Sequence, residues 1–269
     1  MVSEDDFDKI GWLAGHARAG DAASNSKGEW MNRTHAFLRS SLGLKIVMAL
    51  TGVVLFGFVV AHLVGNLQVY MGPEALNAYA VFLRAFGHGA ALWVARAVLL
   101  VSVVLHIWSA WRLTQMNNAA RPVGYREKVY REATYASRTM RWSGVVLLLF
   151  IIYHLMHFTF GVRAVHPQFV HGDVYHNVVT GFQNPLVSTF YIVAMLALGL
   201  HLYHGAWSFL QTLGLSHPKY NHLRHAFATF ITVVVVVGNI SFPVAVLAGF
   251  LRESVPERLR LAERAPAGH

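Results

Sequence analysis

Five long apolar stretches divide the sequence, at roughly 44–68, 91–113, 142–162, 185–213 and 226–251. Each approaches the ~20 residues that a helix needs to cross a hydrocarbon layer. Unpaired backbone groups are too unfavourable in lipid for open strands or irregular loops, so the pattern predicts five transmembrane α-helices. The stretch 231-ITVVVVVGNI-240 is β-branched, but it belongs to one apolar run too long for a buried strand. The expected architecture is an all-α integral membrane protein. A polar arm over 1–40 precedes a helical domain over 41–252, and a charged tail fills 253–269. The sequence shows no convincing repeat and no low-complexity segment.

Charge placement orients the helices. Lys27, Arg33, Arg39 and Lys45 flank the first. Arg112, Arg121, Arg126, Lys128, Arg131, Arg138 and Arg141 crowd the second connection, and Lys219 and Arg224 lie in the fourth. The first connection has only Arg84 and the third only Arg163. The excess of positive residues on one side places the N-terminus in the cytoplasm and the C-terminus outside. The arginines after Leu251 argue weakly against this, but Glu253, Glu257 and Glu263 accompany them.

Composition adds exclusions. The 269 residues are 55% hydrophobic and only 13% charged, against roughly 25% in a soluble domain. Mean hydropathy is +0.43. A formal charge of +9 on a soluble chain would point to nucleic acid. Apolar runs this long assign the charge to a membrane instead, and no nucleic-acid partner is expected. The absence of cysteine removes disulfides, thiolate chemistry, c-type haem attachment and cysteine-held iron–sulfur clusters in this chain. The opening 3-SEDDFD-8 is acidic and no apolar signal core follows, so the arm is not read as a secretory signal.

Histidines are abundant, and four lie deep in apolar runs: 58-FVVAHLVGNLQVY-70, 103-VVLHIWSAW-111, 150-FIIYHLMHF-158 and 197-ALGLHLYHGAW-207. With the orientation above, His62 and His154 fall in the outer halves of helices one and three. His106 and His201 fall in the inner halves of helices two and four, at ~1.5 Å rise per residue. An imidazole in lipid faces the bundle interior and a partner. A hydrogen bond to a neighbouring helix explains any one of them. Four on four helices, matched in depth by pairs, fit haem b, whose iron takes two axial imidazoles from opposite sides. Zinc would want three or four close ligands, and the helices offer no acidic residue there. Two haems follow, one near each face.

Thr51 and Ser143 stand eleven positions before His62 and His154, and each is followed by glycine. These small residues sit at the inner-haem level and leave room for a ring, although close helix packing explains them equally. Arg96 is a candidate for an outer-haem propionate or for snorkelling to the interface. His157 and His204 follow two of the ligands by three positions and are alternatives to them, or partners for quinone, propionate or backbone. His35, His88, His166, His171, His176, His217, His222 and His225 lie in flanks and connections and read as solvated or interfacial. A haem-free transporter with a histidine relay, or a dihaem cytochrome b of another respiratory dehydrogenase, stays open on these residues alone.

The stretch 39-RSSLGLKIVMALTGVVLFGFVVAHLVGNLQVYMGPEALNAYAVFL-83, with VLHIW, IIYHLMHF and HLYHGAWSF further on, resembles the cytochrome b558 membrane anchors of type B succinate:quinone oxidoreductases and the related fumarate reductases. The resemblance spans residues 39 to about 250 and so all five helices. It implies a five-helix bundle with two b haems, the inner held by His106 and His201 and the outer by His62 and His154. It also implies a flavoprotein and an iron–sulfur subunit as partners, docked at the basic inner face, in the bacterial cytoplasmic membrane. Electrons would reach a membrane quinone, menaquinone by resemblance, within a respiratory enzyme of the tricarboxylic acid cycle. Quinone candidates near the outer haem are Asn66, Gln68, Glu74 and His157. Some fumarate-reducing relatives carry a glutamate two residues before the helix-four ligand. Gly199 stands there, which favours succinate oxidation. Trimers of the whole complex are compatible with the resemblance, and no residue decides the point.

Overall fold

The computed structural model describes residues 36–37, 39–120 and 135–253, with side chains from 139 onward in the last range. Most of the polar arm, most of the tail, His35, and the basic residues Arg121, Arg126, Lys128 and Arg131 lie outside the described residues. The described elements are all helical. They are α1 (Ser41–Asn66), α2 (Pro73–Ala85), α3 (Ala90–Ala119), α4 (Tyr135–His154), α5 (Val174–Phe182), α6 (Pro185–Thr212) and α7 (Asn221–Leu247). Five helical stretches are long and apolar enough to cross a membrane: Ser41–Met71, Pro73–Ala119, Thr139–Thr159, Pro185–Thr212 and Pro218–Leu247. The five expected helices are therefore present, and the protein is an all-α integral membrane protein.

The chain forms two compact units. Among the described residues, one comprises those up to 48 together with 106–120, the other 49–105 and 135–253. In the first, Leu44, Ser109 and Leu113 are buried. In the second, Leu63, Val69, Val179, Leu202, Val235 and Phe242 build a common apolar core. Small residues set the helix spacing there. A Cβ on Gly238 of α7 would meet Leu63 of α1 at 2.8 Å, and one on Gly199 of α6 would meet Val236 of α7 at 2.9 Å. Outside this core many large apolar side chains are exposed, Phe250 at 84% and Leu186 at 80% among them. A lipid solvent removes the penalty such a surface would carry in water.

Two connections that the apolar pattern left blank are structured. The first carries a 3₁₀ turn (Leu67–Met71) and α2, which begins with Pro73 and Glu74 and has Arg84 in its last turn. Proline and an acidic residue in the first turn, with a basic one in the last, suit a helix and its dipole. The third connection contains α5, capped by Asp173, whose carboxylate accepts from the His176 N–H at 3.0 Å. Asn77 of α2 ties the two together. Its side-chain N–H donates to Asp173 at 3.0 Å, and its oxygen accepts from the Val174 and Tyr175 N–H groups at 2.9 and 3.1 Å. Further links run from the Tyr175 hydroxyl to the Arg252 carbonyl and from His176 to Glu253 at 2.7 Å. A small polar assembly thus caps one end of the second unit.

Candidate cofactor site

His62 of α1 and His154, the last residue of α4, face each other. Their ring centres are 5.9 Å apart and their planes perpendicular. Two imidazoles gripping one iron, with metal–nitrogen bonds of about 2 Å, hold their ring centres roughly 6 Å apart. The pair therefore fits axial ligation of a porphyrin iron. Phe58 stacks on His62 at 5.2 Å, and Phe150, Phe158 and Tyr191 surround His154. The surroundings are apolar and aromatic, as a porphyrin requires.

The inner candidates are fixed in their own units. In the first unit, the Nδ1–H of His106 donates to the Met48 carbonyl at 3.1 Å. In the second, His201 Nδ1 lies 3.3 Å from the Ser143 hydroxyl of α4. The adjacent Gly144 has no side chain, and a Cβ there would already stand 3.8 Å from the His201 ring. The small pair Ser143 and Gly144 therefore sits beside an inner histidine, as the spacing predicted. His154 follows the same rule, with Nδ1 3.4 Å from the Tyr191 hydroxyl. In His106, His154 and His201 alike an oxygen lies within hydrogen-bonding distance of Nδ1. Such an outer partner fixes tautomer and ring direction in ligating histidines. Among the described residues no three His, Cys, Asp or Glu side chains converge on one point. Two axial donors per centre suit iron already held by a porphyrin better than a bare ion.

Directly after His154 the helix widens into a π turn over Leu155–Thr159. Single π turns are frequent at functional sites. This one carries His157 inward to 1% exposure, where its Nδ1 lies 3.0 Å from the Tyr191 hydroxyl. Glycine at 181 makes room, since a Cβ there would come within 3.0 Å of the His157 ring. His157 is thus buried and supports Tyr191. Asn66 and Gln68 are half-buried, and Glu74 is exposed.

His166 corrects the expectation of a solvated role. It is buried at 2% exposure, packs 4.7 Å from the His157 ring, and contacts the His157 carbonyl at 3.3 Å and the Thr180 hydroxyl at 3.0 Å. Burial pushes its pKa below the usual histidine value. The His157 carbonyl opposes that shift, and His176 adds to it. Arg96 is exposed and lays its guanidinium over the Trp93 ring at 4.9 Å. Tyr191 and His166 had no signal in the sequence. One is an aromatic residue in an apolar run, the other a histidine in a connection.

Residues 117–239 match the family described as succinate dehydrogenase/fumarate reductase transmembrane subunit. The matched segment begins near the end of α3 and covers α4, α5, α6 and most of α7, and so contains His154 and His201. The chain is also similar to the succinate dehydrogenase cytochrome b558 subunit of Bacillus subtilis (strain 168). The two are 26% identical over 193 residues, which cover 70% of this chain and 87% of the relative. No solved structure matches the chain. The resemblance read from the histidine motifs is to the same family, and the five apolar helices agree with a transmembrane subunit.

Proposed function

We propose that this anchor is the dihaem cytochrome b subunit of a succinate:quinone oxidoreductase, holding an outer haem b through His62 and His154 and an inner one through His106 and His201. The observation that carries the reading is the perpendicular His62–His154 pair at 5.9 Å. Bound haem supplies one-electron transfer, here toward a membrane quinone, with menaquinone the expected species. The protein's part is orientation. Met48, Ser143 and Tyr191 hold three imidazoles by Nδ1, and the apolar helices keep water away.

The N-terminus lies in the cytoplasm, and the basic flanks receive an iron–sulfur subunit and, through it, a flavoprotein. The relative's name and the family's description support this assembly. Quinone contact falls to one of Asn66, Gln68, Glu74 and His157. Asn66 lies one helical turn beyond His62 on the same face. Gly199 supports succinate oxidation over the reverse reaction. Val236 fills the space against it, which leaves no room for a proton-carrying glutamate.

The test is a reduced-minus-oxidised spectrum with haem quantification on the purified complex, comparing wild type with His62→Ala and His106→Ala. Two b haems per chain, one lost in each variant, is the expected result. A haem-free wild type would return the four histidines to packing or proton relay.

A further inference from the structure

Buried polar atoms without a partner fall mostly on two neighbouring helices. Among the described residues they are His204 Nδ1, Trp207 Nε1, Arg224 Nε and Nη1, Thr232 Oγ1 and, in the first unit, Ser109 Oγ. All but the last lie on the facing stretches of α6 and α7. The helices run antiparallel there, with Gly199 against Val236 and the Trp207 ring 5.3 Å from His225. His204 and Trp207 also contact each other, at 5.2 Å between ring centres.

Indole and guanidinium nitrogens only donate hydrogen bonds. Donors buried without acceptors carry an uncompensated loss of hydration, so native proteins satisfy them. This stretch of chain has no acid of its own to do so, since no Asp or Glu occurs between Asp173 and Glu253. Arg224 reaches one neutral oxygen, donating through Nη2 to Asn221 at 2.8 Å, and keeps its other nitrogens free. The missing partner is an anion with several acceptor sites, and a carboxylate suits a guanidinium best.

We infer that His204, Trp207 and Arg224 form a carboxylate-binding site that receives the propionates of the haem held by His201. The inference rests on the haem reading above. Trp207 lies six residues beyond His201, about 9 Å along the helix. A haem carries its carboxylates on one edge, roughly 8 Å from the iron, so the levels agree. Space is present as well. A Cβ on Gly205, one turn beyond His201 on its face, would meet nothing within 4 Å. Arg224, counted at first only as a charge in a connection, is then a positioning residue for the inner centre.

The test uses the purified complex with Arg224→Gln, Arg224→Lys and Trp207→Phe. It reads resonance Raman propionate-bending bands and the two haem midpoint potentials. Loss of the cation favours ferric iron. Arg224→Gln is expected to lower one midpoint only, with about a tenfold fall in the ferrous-to-ferric ratio at fixed potential, or about 59 mV. The propionate band shifts with it. Trp207→Phe moves both readouts the same way by less, and Arg224→Lys restores most of the potential. If Arg224→Gln fails to assemble, Trp207→Phe decides. Unmoved bands and midpoints with both haems retained overturn the inference and assign these donors to a subunit carboxylate or a lipid phosphate. A His201→Ala complex that keeps both haems would instead overturn the reading on which the inference rests.

Discussion

Replacing Tyr191 by phenylalanine removes one oxygen that stands between two histidines. The hydroxyl is 3.0 Å from His157 Nδ1 and 3.4 Å from His154 Nδ1. If His154 binds iron through Nε2, its Nδ1 carries the proton, so the Tyr191 oxygen accepts from His154 while its O–H donates to His157. Accepting that proton makes the imidazole more electron-rich and favours ferric iron. At 3.4 Å the bond is long, and a preference of about 0.5–1 kcal/mol is the scale to assign. At 59 mV per tenfold for one electron, the Tyr191→Phe midpoint should rise by about 20–45 mV. The orphaned His157 nitrogen should also lower stability by about 1–3 kcal/mol. Redox titration of the purified complex, with electron paramagnetic resonance of the ferric state, reads one centre against the other. Both haems retained with the outer midpoint unmoved, or moved downward, would refute the proton order argued here.

Two further outcomes follow from the same cluster. Gly181→Ala puts a methyl group 3.0 Å from the His157 ring and 3.1 Å from Phe158, so it should lower stability by about 1–3 kcal/mol. Thermal unfolding checks that, and the outer midpoint should move while the inner one stays. His166 has a folded pKa depressed below the 6.5 of the unfolded chain, chiefly by burial. The unfolded form therefore binds the proton first. The stability His166 provides is present above pH 6.5 and is lost as pH falls from there toward its folded value. Protection against hydrogen exchange over residues 162–182, corrected for the intrinsic pH dependence of exchange, should fall between pH 7 and 5 in wild type, and less steeply in His166→Gln.

The five spans and the meeting of His62 with His154 were legible because each follows from one-dimensional rules, length in hydrocarbon and rise per residue. Ser143 was legible by spacing too. What escaped depended on contacts between distant segments. Tyr191 looks like any aromatic residue of an apolar run until α6 is laid beside α4. His166 reads as a loop residue until α5 covers it. His157 drew notice as a ligand or quinone contact, but the π turn that buries it leaves no mark in hydropathy. Helix α2 did carry its end signals, Pro73, Glu74 and Arg84, and was passed over beside the stronger apolar runs.

The double role of Asn77 bears on the order in which the protein is made. Helix α5 has only nine residues, too few to hold its shape alone in water, and its first N–H groups are satisfied by a side chain 97 and 98 positions earlier. When the ribosome has delivered the first two spans, α2 is present with nothing to clasp. The clasp closes only after the third connection emerges, and it is completed by Arg252 and Glu253, which are made later still. Until then the His62–His154 end lacks its cover. On the haem reading, such an order leaves an interval in which the cofactor can enter from the side before residues 252 and 253 complete the clasp.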